Sequence, residues 1–306
     1  MSLIAYKDGT YYKKGQKNNL FRFHNKYVGD DTAIIILNNN SYGSLSIEGN
    51  HNKKMIDTIK SIEVDYKGAI IAEIDNYKKE KVGINQLRIR LNKLFSLNGH
   101  RFIKYGNKVN RVYTSLSNLS KISREYLHIN GTKFNNIDIV NCQPLLLCYY
   151  LIKNNLPIDA NYINDCETGC FYERFYERTG KEDIDDERRK ETKQQLYKSI
   201  FFDFKPANLH NKQFCCLYPS AYQSLAQIAL KEETLASKLQ NAEAEIFNDL
   251  SPLHSKYYFT LFDAVYFTDL ADLIPLMNDI KNKFLILELK AELSVNKNGE
   301  EESLEE

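Results

Sequence analysis

Apolar positions in the first third of the chain alternate with polar ones or gather in short runs, as at 33–37 (Ala-Ile-Ile-Ile-Leu) and 69–74 (Ala-Ile-Ile-Ala-Glu-Ile), between turns rich in Asn and Gly. That texture predicts short strands, and hence a strand-rich region over residues 1–104. One helix is predicted inside it at about 84–96, where Arg88, Arg90 and Lys93 are interleaved with Leu87, Ile89, Leu91 and Leu94, and Asn98-Gly99 ends the pattern. Such a helix fits two readings: one that follows a phosphate backbone, and an amphipathic helix with a solvated basic face. From 105 to 295 the spacing becomes that of long helices, interrupted by two strong strand signals at 134–140 and 257–267. Residues 296–306, with Asn298-Gly299 and a Glu-rich end, hold too little apolar content to fold and read as an acidic flexible tail.

Each of the two strand signals carries one aspartate. On a strand over 134–140, Asp138 shares a face with Phe134, Asn136 and Val140, while Ile137 and Ile139 take the other. On a strand over 257–267, Asp263 lines up with Phe259, Leu261 and Val265, an apolar face where an unpaired charge is costly. Either residue alone is explained by a backbone amide, an arginine or solvent at a strand end. Two such carboxylates on adjacent strands can instead share divalent cations, holding a pair of Mg2+ ions roughly 3.5–4 Å apart for an in-line displacement.

A third pattern begins at the acidic start Asp183-Ile184-Asp185-Asp186, which suits the positive end of a helix. Beyond it Arg189, Lys193, Tyr197 and Phe201 recur every fourth residue and so form one slowly turning stripe. Two cations followed by two rings suit a nucleoside triphosphate, its phosphates against Arg189 and Lys193 and its base and sugar against Tyr197 and Phe201. The competing reading is an amphipathic helix whose rings enter the core and whose cations face water.

Composition constrains these readings without choosing among them. With 43% apolar residues among 306, the chain can bury a sizeable core. The balance of 41 basic against 40 acidic residues means that any track for nucleic acid must be local. Six cysteines (142, 148, 166, 170, 215 and 216) show no paired CxxC spacing, so they read as buried thiols, neither a zinc site nor a secreted disulfide framework. The 21 tyrosines, with no tryptophan, are what A/T-rich coding produces and are weak evidence for base stacking. No leader-like start or run of roughly 18 apolar residues is present, so a cytoplasmic protein without a membrane partner is expected.

In their order along the chain, these pieces resemble the motifs of the DNA polymerase I family and of the related single-subunit phage-type RNA polymerases. Arg111 followed by Asn118-Leu119 matches an arginine that precedes the family's first catalytic motif. Asp138, in Asp138-Ile139-Val140-Asn141-Cys142-Gln143-Pro144, matches that motif's metal-binding aspartate, and Arg189, Lys193, Tyr197 and Phe201 match the nucleotide-binding helix. Gln240 is similar to a glutamine near the primer–template, and Phe262-Asp263 keeps the aspartate of the last motif.

The resemblance implies an α+β, right-hand polymerase fold. An antiparallel palm sheet would carry Asp138 and Asp263, and helical fingers would include 184–202. The strand-rich N-terminal region stands where the family has a helical thumb, and so is expected to be a distinct module for template or a replication-protein partner. The implied reaction is Mg2+-dependent, with Mn2+ as the alternative ion: a primer 3′-hydroxyl attacks the α-phosphate of a nucleotide and pyrophosphate leaves. Gln143 would join the nucleotide site, and Arg111, Asn118, Lys121, Arg124 and Gln240 would touch nucleic acid.

Several positions depart from the family pattern. Phe262 replaces the usual histidine and Ala264 an acidic residue, while Phe201 lacks the phenolic hydroxyl common there. Gln143 stands where DNA polymerases commonly carry a glutamate; it is bulky enough to exclude a 2′-hydroxyl, which favours deoxynucleotides. Nothing in the chain resembles an exonuclease region, so a DNA polymerase without proofreading is expected. Two alternatives stay open: an RNA polymerase or primase of the same fold, and a catalytically weakened nucleic-acid-binding accessory protein.

Overall fold

The computed structural model describes residues 44–79, 81–180, 185–202, 204, 206–230, 234–297 and 300–302. In chain order its first part runs β1 (Ser44–Glu48), α1 (Lys53–Ser61), β2 (Glu63–Val64), α2 (Tyr66–Lys78), α3 (Ile84–Ser96), β3 (His100–Tyr105), β4 (Val112–Thr114), α4 (Lys121–Arg124), β5 (Leu127–Ile129) and β6 (Thr132–Lys133). The remainder comprises β7 (Asn135–Ile139), α5 (Cys142–Lys153), α6 (Ala160–Glu167), α7 (Phe171–Arg178), α8 (Asp186–Leu196), α9 (Leu209–Leu217), α10 (Pro219–Ala229), α11 (Leu235–Phe247), β8 (Tyr258–Leu261), β9 (Ala264–Phe267), α12 (Leu273–Leu285), β10 (Leu293–Lys297) and β11 (Glu300–Glu302). Mixed helices and antiparallel sheets make the chain α+β. Its described residues divide into two units, one holding 44–47, 59–103 and 114–133, the other holding 48–58, 104–113 and those from Phe134 onward.

In the first unit the strand-rich expectation is corrected. The run at 69–74 lies in the helix α2, and the run at 33–37 falls outside the described residues. A short apolar run fits both periods; here the Asp65 carboxylate accepts the Gly68 N–H at 3.0 Å as a helix cap. Tyr66, Ala69, Ile70 and Glu73 then fall on one buried face, whereas Ile71 is left exposed. The charge of the buried Glu73 is met by Arg90 at 3.0 Å and by the hydroxyls of Ser120 and Ser123. Arg90 is therefore tied into the unit, while Arg88 and Lys93 of α3 are exposed. A small antiparallel sheet in the order β2-β5-β6 completes this unit. Its β5–β6 turn is Asn130-Gly131, both at positive φ (50° and 78°), the backbone a two-residue hairpin requires.

The second unit is organised on a five-stranded antiparallel sheet in the order β11-β10-β7-β9-β8. Along β7 the alternation predicted from sequence is present: Asn135, Ile137 and Ile139 are buried, and Asn136 and Asp138 half-buried. Of the acidic end, Glu300–Glu302 pairs with β10, and 303–306 lie outside the described residues. The stretch 257–267 is not one strand but a hairpin, β8 and β9 joined by Phe262-Asp263 with Leu261 opposite Ala264. Both strands are wholly buried, and the Phe259 and Tyr266 rings stack with centroids 4.5 Å apart. No Gly or Asn marks the turn, so the apolar run conceals it; Phe262 supplies the turn at φ 58°, a conformation that costs an L-residue roughly 1 kcal/mol.

Beside the sheet, the apolar α5 packs against α6 and α11. The helical part around α6, α7, α9 and α10 has an aromatic core of Tyr162, Phe171, Phe214 and Tyr218, all fully buried. Within it the buried Asp165 accepts from the Tyr218 hydroxyl at 2.8 Å and from Arg174 and Arg178, each at 3.0 Å. Among the described residues no helix is long and apolar enough to cross a membrane.

Candidate active site

The register of the central strands brings the two aspartates together. Asp138 on β7 lies opposite Ala264 on β9, and Asp263 is the residue just before Ala264, at the hairpin tip. The two carboxylates thus leave neighbouring strands at one end of the sheet, both half-buried. Asp263 does not sit on the apolar strand face with Phe259, Leu261 and Val265; because 257–267 folds back on itself, it occupies the turn, where an ionised group is far cheaper.

A third carboxylate joins them. Glu243, on the buried face of α11, is 1% exposed and pairs with Arg111 through its Oε2. Two hydrogen bonds set that contact by tying the chain before Arg111 to α11: Asn110 N–H donates to Asn241 at 3.0 Å, and Asn248 donates to the Asn110 carbonyl at 2.7 Å. The Glu243 Oε1 atom is buried with no hydrogen-bond partner. Burial pushes Glu243 up to about 7; Arg111 pulls the other way and Asp263 pushes with burial. Burial opposes the charge of Arg111, but Glu243 and Tyr113 together outweigh it and hold the guanidinium more firmly charged. The buried Cys142 thiol registers the whole group: burial, then Asp263, Glu243 and Asp138, push it well above the usual range, against Arg111. Three carboxylates and one arginine therefore share one electrostatic neighbourhood.

Phe262 closes this group on another side. Its ring lies under the Arg111 guanidinium, 4.6 Å from the centroid, and meets Tyr113 edge-on at 6.2 Å. These contacts hold a bulky residue in the left-handed region, a strain of the kind that collects at functional sites.

The helix α8 is fixed to the end of β7. Asp185 caps it by accepting the Arg188 N–H at 2.8 Å. Arg189 donates to the Asn141 side chain at 3.2 Å and to Glu173, and Asn141 also donates to the Gly169 carbonyl. Asn141 precedes α5 with φ 53°, a left-handed value that asparagine tolerates well. Lys193 is exposed, and both it and Arg189 lie 5.7 Å from the centroid of the buried Tyr172 ring. Tyr197 is 37% exposed; burial raises its phenol and, among the neighbouring charges, Glu243 and Asp263 add to this against Arg111. Phe201, by contrast, is 1% exposed and belongs to the core against Phe171.

Of the other residues singled out from sequence, Gln143 stands half-buried on the first turn of α5 and Gln240 half-buried on α11, one turn before Glu243. Asn118, at the end of a 3-10 turn, and Lys121 and Arg124 of α4 belong to the first unit. Sequence reasoning missed Glu243, Asn141, Tyr172 and Glu173. Glu243 had a readable signal, an acid on the stripe of Leu235, Leu239, Ala242 and Ile246 that buries α11. The other three acquire meaning only through contacts distant in the chain.

No protein-family model matches the chain, and no curated protein matches it. Among solved structures it is similar to the POL domain of Pol1 from M. smegmatis in complex with DNA primer-template and dNTP, at 12% identity and a TM-score of 0.47. The similarity covers 76% of this chain and 56% of that one, so the chain spans little more than half the length of that domain.

Proposed function

We propose that the chain is a template-directed nucleotidyltransferase, a small DNA polymerase without proofreading that uses two divalent metal ions. One observation carries this reading: the β7–β9 register sets Asp138 beside a hairpin tip bearing Asp263. The ordered motifs from Arg111 to Asp263 and the attachment of Arg189 to the end of β7 support it.

Among the described residues no three His, Cys, Asp or Glu side chains form a ready metal cage. Mg2+ takes one or two carboxylates and fills its shell with water and substrate phosphates, so Asp138 and Asp263 fit it without such a cage. Bound there, the ions would lower the cost of the charge that develops on the attacking and leaving oxygens. The chain's own residues supply position. The exposed Lys193 and the anchored Arg189 hold phosphates, Gln143 restricts the sugar, and Arg111 with Gln240 faces the nucleic acid. Asn118, Lys121 and Arg124 are proposed as further contacts of the first unit, and residues 1–104 as a module for template or a replication protein.

A primer-extension assay tests this, with separate dNTP and NTP lanes, with and without primer. Extension with dNTPs is expected, and both Asp138→Asn and Asp263→Asn should abolish it while leaving the circular dichroism spectrum unchanged. Incorporation of NTPs without a primer would favour the primase alternative. A nucleic-acid-binding accessory protein is the second reading, favoured by Phe262, whose ring is taken up by Arg111 and Tyr113 where the family has a histidine. Binding of primer–template with no incorporation under Mg2+ or Mn2+ would decide for it.

A further inference from the structure

Phe262 is a poor residue for the place it fills. It is the first of the two residues that join β8 to β9, and its φ of 58° belongs to the region where such hairpins use Gly or Asn. With neither in the turn, the backbone must be held by what the ring touches. That ring lies 4.6 Å from the Arg111 guanidinium and meets Tyr113 edge-on. Arg111 is itself fixed: its side chain is only 12% exposed and is paired with the buried Glu243. On the main chain beside it, Asn110 is bound to both Asn241 and Asn248. Helix α11 thus reaches the ring of Phe262 by way of Glu243 and Arg111.

The peptide unit between Phe262 and Asp263 is rigid, so the dihedral angles of Phe262 aim the residue that follows. We infer that Glu243 is a positioning residue for the hairpin tip: through Arg111 it clamps Phe262 in the left-handed region and so directs the Asp263 carboxylate toward Asp138. A buried acid and a left-handed phenylalanine are each costly alone, and the arginine between them answers both. Glu243 acts here without touching metal or substrate. That the aim serves metal ions rests on the polymerase reading; the clamp itself does not.

A double-mutant cycle of Glu243→Gln with Phe262→Asn tests this, because asparagine adopts the left-handed backbone without a clamp. Two readouts are taken on the full chain: Mn2+ binding by electron paramagnetic resonance at about pH 8, where Glu243 carries its charge, and hydrogen–deuterium exchange of the amides at 261–264 in metal-free protein. In the wild-type background Glu243→Gln should weaken Mn2+ binding about tenfold and speed exchange at the tip about tenfold. With Phe262→Asn present it should change either by less than about threefold. Should Glu243→Gln not fold, Glu243→Asp, which keeps the charge but not the reach, takes its place in the cycle. A direct effect of the Glu243 charge on the ions would persist beside Phe262→Asn. Equal losses in the two backgrounds therefore overturn the proposal, as does tip exchange unmoved by Glu243→Gln. If the wild type binds no Mn2+, or binds it no better than Asp263→Asn does, only the two-metal reading fails, and the exchange at the tip still decides the clamp.

Discussion

Replacing Glu243 by glutamine keeps the side chain's shape and removes its titration, so the change isolates the energetic cost of this buried acid. Glu243 titrates at about 7 in the folded chain and at the ordinary value of 4.5 when unfolded. The folded state therefore holds the proton more tightly. The resulting stability is fully present below the unfolded value and is lost as the pH rises through about 7. A gap of about 2.5 pH units corresponds to about 3 kcal/mol over the whole range, of which about 2 kcal/mol disappears between about pH 5.5 and about pH 8. Urea denaturation of both proteins at three pH values across that window measures it. Groups common to the two cancel in the difference, so the Glu243→Gln profile should be flatter than the wild-type one by about 2 kcal/mol. Parallel profiles would refute the claim that burial, aided by Asp263, dominates over Arg111 at this carboxylate.

Three other substitutions test the scaffold around the site. Asp165→Asn takes the charge from a fully buried acceptor of Tyr218, Arg174 and Arg178, and should destabilise the second unit by roughly 3 kcal/mol in thermal unfolding. On α3, Arg90→Ala should lower stability through loss of the Glu73 pair, whereas Arg88→Ala and Lys93→Ala should leave stability unchanged. If α3 follows phosphates, each of the latter two reduces the salt dependence of nucleic-acid binding by about one counterion, a slope read from binding isotherms at several salt concentrations. Asn141→Gly preserves the left-handed backbone but leaves Arg189 held by Glu173 alone, and is expected to raise the KM for nucleotide roughly tenfold while the lost bond to the Gly169 carbonyl lowers stability by about 1–3 kcal/mol. An unchanged KM would remove Asn141 from the positioning of that arginine.

Local pattern was sufficient for much of the second unit. The alternation along 134–140 foretold which side chains of β7 share a face, and the acidic start at Asp185 foretold the beginning of α8. These features depend on neighbours a few residues away, where periodicity and capping act. The same reasoning failed where two periods fit equally well, as at 69–74, which the Asp65 cap turns into helix. It also failed where a turn lacks its usual residues, as at Phe262-Asp263.

By itself, then, the chain's order of residues determined that two aspartates occur on strand-forming segments and that cations precede rings on one helix. Only the tertiary structure decided that Asp263 stands at a tip beside Asp138, that Glu243 and Arg111 share their surroundings, and that Phe201 is turned into the core. The reason is physical. Strand register, ion pairing and helix winding are settled by packing between segments far apart in the chain, and local periodicity holds no record of which segments will meet.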